Sequence, residues 1–297
     1  MWLVDAPTAA VGDPRAQIYI VDHLAPGTVI TRRVEVSNGT AAVARVSLYS
    51  SAASIVQGTF IGAASDTAND LSNWTTIRPA VTDIVAGGQA IATVTIAVPA
   101  DAAPGEQYGV VWAQVRSDQD TGGITQVTRV GIRLYVSVGP GGPPPANFTI
   151  ESLTALRSSQ GVPSIVAKVR NTGGRALDMS GTVQLAGGPG GLNAGPFPVE
   201  LGVTLAIGAA ELVTSTLDTA MPAGPWHVTI TLHSGLVERS AGASLAFPEV
   251  GAGPAVPPLS PQSGSGAVAT VGAVIVGVAV VSGSSFRVRR RRRRSLA

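Results

Sequence analysis

The segment Val29-Ile-Thr-Arg-Arg-Val-Glu-Val-Ser37 alternates between apolar and polar side chains and is followed at once by Asn38-Gly39. Successive side chains of a strand point to opposite faces of a sheet, so a period of two residues predicts a β-strand with one buried face. Asn-Gly favours a tight turn because both residues tolerate positive φ. The segment therefore predicts an antiparallel sheet rather than a helix.

The same alternation recurs through the first half of the chain, and turn sequences such as Ala25-Pro-Gly27 and Ala103-Pro-Gly105 separate the runs. The predicted strands of this half are Gln17 to Val21, Val29 to Ser37, Ala44 to Tyr49, Ala90 to Val98, Gly109 to Val115 and Thr125 to Val138. Short strands at this spacing are typical of an immunoglobulin-like sandwich. We therefore predict a first such domain over residues 1–139.

A run of Gly and Pro over residues 140–145 predicts an extended, semi-rigid linker. A second set of alternating runs follows it, at Phe148 to Leu156, Ser164 to Asn171, Met179 to Leu185, Ala210 to Leu217, Trp226 to Ser234 and Ala243 to Phe247. Asn171-Thr-Gly-Gly174 is placed after its strand as Asn38-Gly-Thr40 is in the first domain. These features predict a second immunoglobulin-like sandwich over residues 146–248, followed by a low-complexity stalk over residues 249–266.

The composition supports an all-β body and excludes several kinds of chemistry. Charged residues make up 13% of the chain, against about 25% in an average protein. Because the chain has no cysteine, it has no disulfide, no zinc–thiolate site and no thiol nucleophile.

The C-terminal region joins an uncharged stretch to a basic end. Residues 267–286 carry no charged side chain and are long enough to cross a bilayer. The arginines that follow, in the tail over residues 287–297, are Arg287, Arg289, Arg290, Arg291, Arg292, Arg293 and Arg294. Positive residues beside a span stay in the cytoplasm, so we predict a single transmembrane helix with the arginine tail inside and both sandwiches outside a bacterial plasma membrane.

The same residues allow two other interpretations of this region. One is a disordered tail whose arginines bind anionic partners, but it leaves an apolar run exposed to water. The other is a sortase signal, but Val256-Pro-Pro-Leu-Ser-Pro261 lacks the LPxTG pentapeptide.

Outside the tail the chain has more acidic than basic residues, so the composition argues against nucleic-acid binding. An extracellular body also requires a secretion signal, and because Met1 to Asp5 does not resemble one, we expect a leader upstream of the recorded start.

The segment from Ile96 to Trp112 resembles the WxL-interacting protein family, whose first domain (DUF916) carries a proline-opened turn followed by Gly-Glu-x-Tyr-Gly. The matching residues here are Pro99, Pro104, Gly105, Tyr108 and Gly109, and Asp22 to Gly27, Val34 to Asn38 and Gly58 to Phe60 resemble that family as well. The resemblance covers most of residues 5 to 138. It implies a Gram-positive surface protein whose first domain binds peptidoglycan and whose second contacts WxL-type surface proteins or host material.

The sequence offers one candidate binding loop and little sign of catalysis. Asp66, Asn69 and Asp70 supply oxygen atoms in a loop before Trp74, where calcium or a sugar would fit. Trp112 lies in a run of valines and is interpreted as a packing residue. The three histidines are scattered, and neither GxSxG nor HExxH occurs. We therefore predict a non-enzymatic binding protein without a cofactor or metal, with a structural spacer or assembly subunit as the rival hypothesis.

Overall fold

The computed structural model describes residues 1–5, 7–117 and 125–259. These residues form an all-β, sandwich-like fold, as the alternating pattern predicts. The strands of the first sandwich are β1 (Trp2–Leu3), β2 (Ile20–Leu24), β3 (Val29–Ser37), β4 (Ala44–Val56), β5 (Thr59–Gly62), β6 (Thr75–Arg78), β7 (Val81–Ile84), β8 (Gln89–Ala97), β9 (Gly105–Arg116) and β10 (Val127–Val138). The helical elements are α1 (Asp70–Trp74) and two 3₁₀ turns, Thr8–Val11 and Pro14–Gln17.

Two sheets make up this sandwich. One has the strand order β1-β3-β8-β6, and the other has the order β2-β10-β9-β4-β5, with β7 paired to β4. The neighbouring strands are antiparallel except β2 and β10, which are parallel. Alternate residues of the facing strands, such as Val34, Val94, Val111 and Leu134, are fully buried between the sheets. The other face of each strand is therefore left for solvent or for the second sandwich.

The second sandwich is smaller. Its strands are β11 (Phe148–Arg157), β12 (Pro163–Asn171), β13 (Leu177–Asp178), β14 (Ser180–Ala186), β15 (Ala194–Pro198), β16 (Thr204–Leu205), β17 (Ala210–Thr216), β18 (Trp226–Ser234), β19 (Val237–Leu245) and β20 (Gly251–Ala252), with a 3₁₀ turn at Pro189–Gly191. The sheets have the orders β17-β12-β11-β20 and β15-β14-β18-β19, and β13 pairs with β16. Trp226 and Phe148 are the largest side chains buried in its core.

The linker is held in place at its C-terminal end. The loop after β12 packs on it, since Gly174 donates its backbone N–H to the carbonyl oxygen of Pro145 at 2.9 Å. A Cβ on Gly173 would lie 2.5 Å from that same oxygen, so only glycine allows this close approach. The linker is thus bound to the second sandwich rather than suspended between two bodies.

The described part of the predicted stalk also pairs with the second sandwich. Gly251 and Ala252 form β20 against β11. Further along, Val256 bridges to Leu153 and Leu259 bridges to Gly242. The segment up to Leu259 is therefore bound to the sandwich, where we had predicted a low-complexity stalk.

The rest of the predicted stalk, the transmembrane helix over residues 267–286 and the arginine tail lie outside the described residues. Within residues 1–5, 7–117 and 125–259, no helix has the length and apolar character needed to span a membrane.

Candidate functional site

The loop predicted to bind a ligand uses Asn69 to begin a helix. The Asn69 side chain accepts a hydrogen bond from the Ser72 backbone N–H at 2.9 Å, and Ser72 Oγ accepts one from the Asn69 backbone N–H at 2.7 Å. This reciprocal arrangement is a capping box at the start of α1. Asn69 Nδ2 also donates to the Tyr108 carbonyl oxygen at 2.8 Å. Asn69 therefore fixes the loop to strand β9.

The other three residues of that loop have different environments. Trp74 is half-buried and packs against the core of the first sandwich. Asp70 is exposed in the first turn of α1, where its negative charge interacts favourably with the positive end of the helix dipole. Asp66 is exposed as well and lines a cleft on the outer face of the six-stranded sheet. Of the four predicted residues, Asp66 alone lines this cleft.

We call this cleft, of about 330 Å³, the outer-face cleft; its lining residues are Ser47, Tyr49, Ser65, Asp66, Gln114 and Arg116. The Tyr49 hydroxyl donates to Gln114 Oε1 at 2.9 Å. Ser65 has a φ of 60°, a left-handed backbone conformation that residues other than glycine rarely adopt. The cleft thus combines an aromatic ring, an amide, a carboxylate and a guanidinium group.

Trp112 lies beside the outer-face cleft rather than in the core, because it is the cross-strand partner of Tyr49 on β4 and of Gly131 on β10. Its indole Nε1 donates to the Ala63 carbonyl oxygen at 3.0 Å. The Arg129 guanidinium stands 5.6 Å from the centre of the indole ring. Trp112 therefore packs on the outer face of the sheet.

The motif that carries the family resemblance meets the second sandwich. Pro99 and Pro104 flank the turn between β8 and β9, and Gly105 opens β9 with a φ of 144°. The Tyr108 hydroxyl donates to Glu106 Oε2 at 2.7 Å, and the same oxygen accepts the backbone N–H of Ala176 in the second sandwich at 2.6 Å.

Gly109 is buried, and a Cβ there would lie 3.1 Å from Leu134 and 3.3 Å from Leu71. Because Glu106 of this motif accepts the Ala176 backbone N–H, the motif provides one side of the contact between the two sandwiches.

A set of charged side chains, which we call the interdomain ion cluster, surrounds this contact: Asp13, Arg15, Arg133, Arg175 and Asp178. Arg15 donates from Nη2 to Asp13 at 2.8 Å and from Nη1 to Asp178 at 3.0 Å. Its Nη1 also donates to the carbonyl oxygen of Ala176 at 2.9 Å. Arg15 therefore joins the two sandwiches through both backbone and side-chain acceptors.

Asp178 is the acceptor on the second sandwich. It receives hydrogen bonds from Arg133 at 3.0 Å, from the Tyr135 hydroxyl at 3.0 Å and from the Thr204 hydroxyl at 2.7 Å. Neighbouring rings pack around the cluster in tilted and edge-on pairs with centroids 5.1 to 6.5 Å apart; they belong to Tyr19, Phe60, Tyr108 and Tyr135. Each buried charge thus has an opposite charge or a hydrogen-bond partner, as low-dielectric surroundings require.

Burial and neighbouring charges shift two carboxyl groups here in opposite directions. Burial alone would raise the pKa of Asp13, but the hydrogen bonds and charge of Arg15, with the charge of Arg175, hold it below the ordinary value of 3.8. For Glu106, burial outweighs the hydrogen bonds from Tyr108 and Ala176 and raises the pKa above 4.5. A cleft of about 410 Å³ opens beside both residues. In the described part of the chain, no three His, Cys, Asp or Glu side chains are placed to hold a metal ion.

Comparison with known proteins assigns neither a family nor an activity. No family model matches the chain. A search of curated proteins finds no match either. The Pseudomonas aeruginosa CupB2 chaperone is similar in structure, with 12% identity and a TM-score of 0.37, over 76% of this chain and 97% of that one. The E. coli chaperone DraB has 11% identity and a TM-score of 0.39, over 76% and 96%.

The interdomain ion cluster was not predicted from the sequence, although the sequence does contain a helix-start pattern at one part of it. Asp13-Pro14-Arg15 has the pattern of a helix start, with an acidic cap followed by proline, and Asp13 does cap the 3₁₀ turn through the Arg15 backbone N–H at 3.1 Å. The partner Asp178 lies 163 positions away in the chain. No local pattern connects two such distant residues.

Proposed function

We propose that this chain is a membrane-anchored bacterial cell-surface binding protein that contacts peptidoglycan, other surface proteins, or both. The observation that carries the proposal is the interdomain ion cluster, which joins the two sandwiches into one compact unit over residues 1–261. A body with a fixed shape binds without first having to order its parts, which lowers the free-energy cost of association. Such a body suits recognition of a large, repetitive surface.

The sequence supports the location and the partners in this proposal. The uncharged stretch over residues 267–286 and the arginines after it are the basis for a single-pass anchor with an extracellular body. The resemblance to the WxL-interacting proteins is the basis for peptidoglycan, and WxL-type surface proteins, as partners. We assign no catalytic step, because the outer-face cleft and the interdomain ion cluster offer hydrogen-bonding groups without a paired nucleophile and base.

Retention on purified peptidoglycan tests this function. Residues 1–261 are incubated with washed peptidoglycan sacculi, and cellulose serves as the matched insoluble polysaccharide. We expect the protein to sediment with sacculi and to stay in solution with cellulose. Sedimentation with neither polymer would contradict peptidoglycan binding.

A second candidate function, a spacer or assembly subunit without a glycan site, is favoured by one open sheet edge. Strand β3 pairs with β8 along its whole length, but on its other side β1 covers only Val34 and Glu35. The backbone from Val29 to Arg32 lacks a neighbouring strand in the described residues. An extended segment of another protein can add to such an edge. If the protein does not sediment with sacculi but self-associates in analytical ultracentrifugation, this second candidate is favoured.

A further inference from the structure

We infer that the outer-face cleft is a saccharide subsite that takes one pyranose ring of a neutral or N-acetylated polysaccharide. The inference deepens the proposed function and rests on it in that peptidoglycan is the expected source of the sugar. Four observations carry it: the aromatic side chains, the seat of the indole ring, the polar lining and the balance of charge.

Two aromatic side chains lie next to each other where the six-stranded sheet faces outward. Tyr49 and Trp112 are directly opposite on β4 and β9, and both are half-buried. Opposed residues of an antiparallel pair have Cβ atoms about 5 Å apart, so the two rings are neighbours. Tyr49 lines the cleft, and Trp112 stands beside it with the Arg129 guanidinium 5.6 Å from the centre of its ring. Rigid aromatic rings provide large apolar contact area at little cost in conformational entropy, and a sugar ring has an apolar face to match.

The indole of Trp112 is seated by two glycines. A Cβ on Gly131 would lie 2.7 Å from its six-membered ring, and a Cβ on Gly62 would lie 2.8 Å from it. Both distances are shorter than van der Waals contact, so the ring occupies space that any other residue at these positions would fill. With Nε1 bound to the Ala63 carbonyl oxygen, the ring is held in one orientation before a ligand arrives.

Polar groups of different kinds line the cleft next to these rings. Gln114 is only 6% exposed, and its Oε1 is engaged by the Tyr49 hydroxyl, so its amide group is fixed. Asp66 and Arg116 are exposed at the rim. A few oriented polar groups beside an apolar wall are typical of small-molecule sites. Hydroxyl and acetamido groups of a sugar offer both donors and acceptors to such a lining.

The charge of the cleft favours a neutral ligand. One carboxylate and one guanidinium group line it, so neither sign dominates. Phosphate-rich ligands require clustered basic groups, and Arg116 is the one basic side chain in the described lining of the cleft. A neutral pyranose satisfies both groups through hydrogen bonds without bringing a charge of its own.

The test uses residues 1–261 with two probes, the soluble tetramer of N-acetylglucosamine and insoluble sacculi. The cleft variant is Asp66→Ala combined with Arg116→Ala, two exposed positions where truncation leaves the core intact. We expect the tetramer to shift the Trp112 indole N–H resonance while the buried Trp226 resonance stays unchanged. We also expect the cleft variant to lose about tenfold or more in affinity, because hydrogen bonds to charged groups are the strong ones.

The matched control is Asp5→Ala combined with Arg33→Ala, which removes one exposed acid and one exposed arginine from the other sheet of the same sandwich. The control is expected to bind both probes like the unaltered protein. A Tyr49→Phe variant keeps the ring, removes the bond to Gln114 and is expected to lose about threefold in affinity.

The outcomes separate this inference from the proposed function. If sacculi retain the unaltered protein and the cleft variant equally, and the tetramer leaves Trp112 unmoved, the subsite is overturned and peptidoglycan binding stands. If sacculi retain neither protein but the tetramer shifts Trp112 in the unaltered protein alone, the subsite stands and its polysaccharide is another one. If sacculi retain neither protein and Trp112 does not shift, both proposals fail.

Discussion

Two asparagines have the same task in the two sandwiches. Asn38 follows β3 and donates from Nδ2 to the carbonyl oxygens of Ala42 and Ile84 at 2.7 and 2.9 Å. Asn171 ends β12 and donates from Nδ2 to those of Arg175 and Leu205 at 2.9 and 3.1 Å. Each amide binds its own loop to a strand beyond it, so the similarity between Asn38-Gly-Thr40 and Asn171-Thr-Gly-Gly174 in the sequence has a structural counterpart.

Replacing Asn171 tests this role at the scale of one residue. Asn171 is 1% exposed, so Asn171→Ala removes the amide donor from the buried Leu205 carbonyl and from the partly buried Arg175 carbonyl. We expect a loss of about 2 kcal/mol in the free energy of unfolding, measured by urea denaturation. Asn73→Ala, at an exposed position, is the control and is expected to change the free energy by less than about 0.5 kcal/mol. Equal effects of the two substitutions would contradict the role assigned to Asn171.

At the scale of an element, the short 3₁₀ turn Pro14–Gln17 determines where the ion cluster forms. Its cap Asp13 and its second residue Arg15 have side chains that are 5% and 8% exposed. The bidentate pair between them directs the Arg15 Nη1 toward Ala176 and Asp178. A turn of four residues thus supplies the cation that reaches the second sandwich.

The pH dependence of this element follows from Asp13. Because its folded pKa lies below 3.8, ionised Asp13 stabilises the folded state above pH 3.8, and that contribution is lost as the pH falls through the folded pKa. We expect Asp13→Asn to be less stable than the unaltered protein at pH 6, and the difference to shrink progressively below pH 3.8. Urea denaturation of both proteins from pH 6 to pH 2.5 measures the difference. The exposed Asp83→Asn serves as the control, and a difference for Asp13→Asn that does not vary with pH would contradict the assignment.

At the scale of the whole molecule, the two sandwiches are joined by three kinds of contact. Charged groups meet at Asp178, Ala176 of the second sandwich packs in one apolar cluster with Phe60 and Tyr135, and the backbone N–H of Thr204 donates to the Gly58 carbonyl oxygen at 2.7 Å. Breaking a buried pair is costly because it leaves an uncompensated charge in surroundings of low dielectric constant. The interface therefore couples the stability of one sandwich to that of the other.

Asp178→Asn tests this coupling. It removes the charge that Arg15 and Arg133 share, and we expect a loss of about 3 kcal/mol in the free energy of unfolding of residues 1–261. The single cooperative transition expected of the unaltered protein should separate into two, followed by the Trp226 indole N–H resonance for the second sandwich and by circular dichroism for the whole. Glu238→Gln, at an exposed acid of the second sandwich, is expected to leave one transition. A single unshifted transition in Asp178→Asn would show that the ion cluster does not couple the sandwiches.

The strands that alternate cleanly were predicted well, and the segments that lack a buried face of their own were not. The predicted limits of Trp226 to Ser234 and Val29 to Ser37 agree with β18 and β3. The predicted strand Gln17 to Val21 lies instead at Ile20–Leu24, because Asp13 and Pro14 begin a 3₁₀ turn that runs to Gln17. Strands β5, β6 and β7 were missed, since they have four residues each and too few alternations to show a period.

The candidate site was also predicted only in part. The predicted loop contributes Asp66 to the outer-face cleft, while Asn69 caps α1 and Trp74 packs against the core. Trp112 was predicted to pack in the core, and it lies instead on the outer face between Gly62 and Gly131. The direction of a side chain depends on strand register, and the alternation of β9 does not reveal which of its two faces meets the second sheet.

By itself the sequence determined that the body is all-β, divided near the proline-rich linker, without thiol chemistry, and followed by an uncharged stretch with a basic end. These properties are local, because composition, period and turn residues act between neighbours in the chain. The tertiary structure decided that Arg15 meets Asp178, that Tyr49 and Trp112 lie side by side on the outer face of their sheet, and that Val256 returns to β11. Such contacts depend on the register and packing of strands far apart in the chain, and only the folded arrangement fixes both.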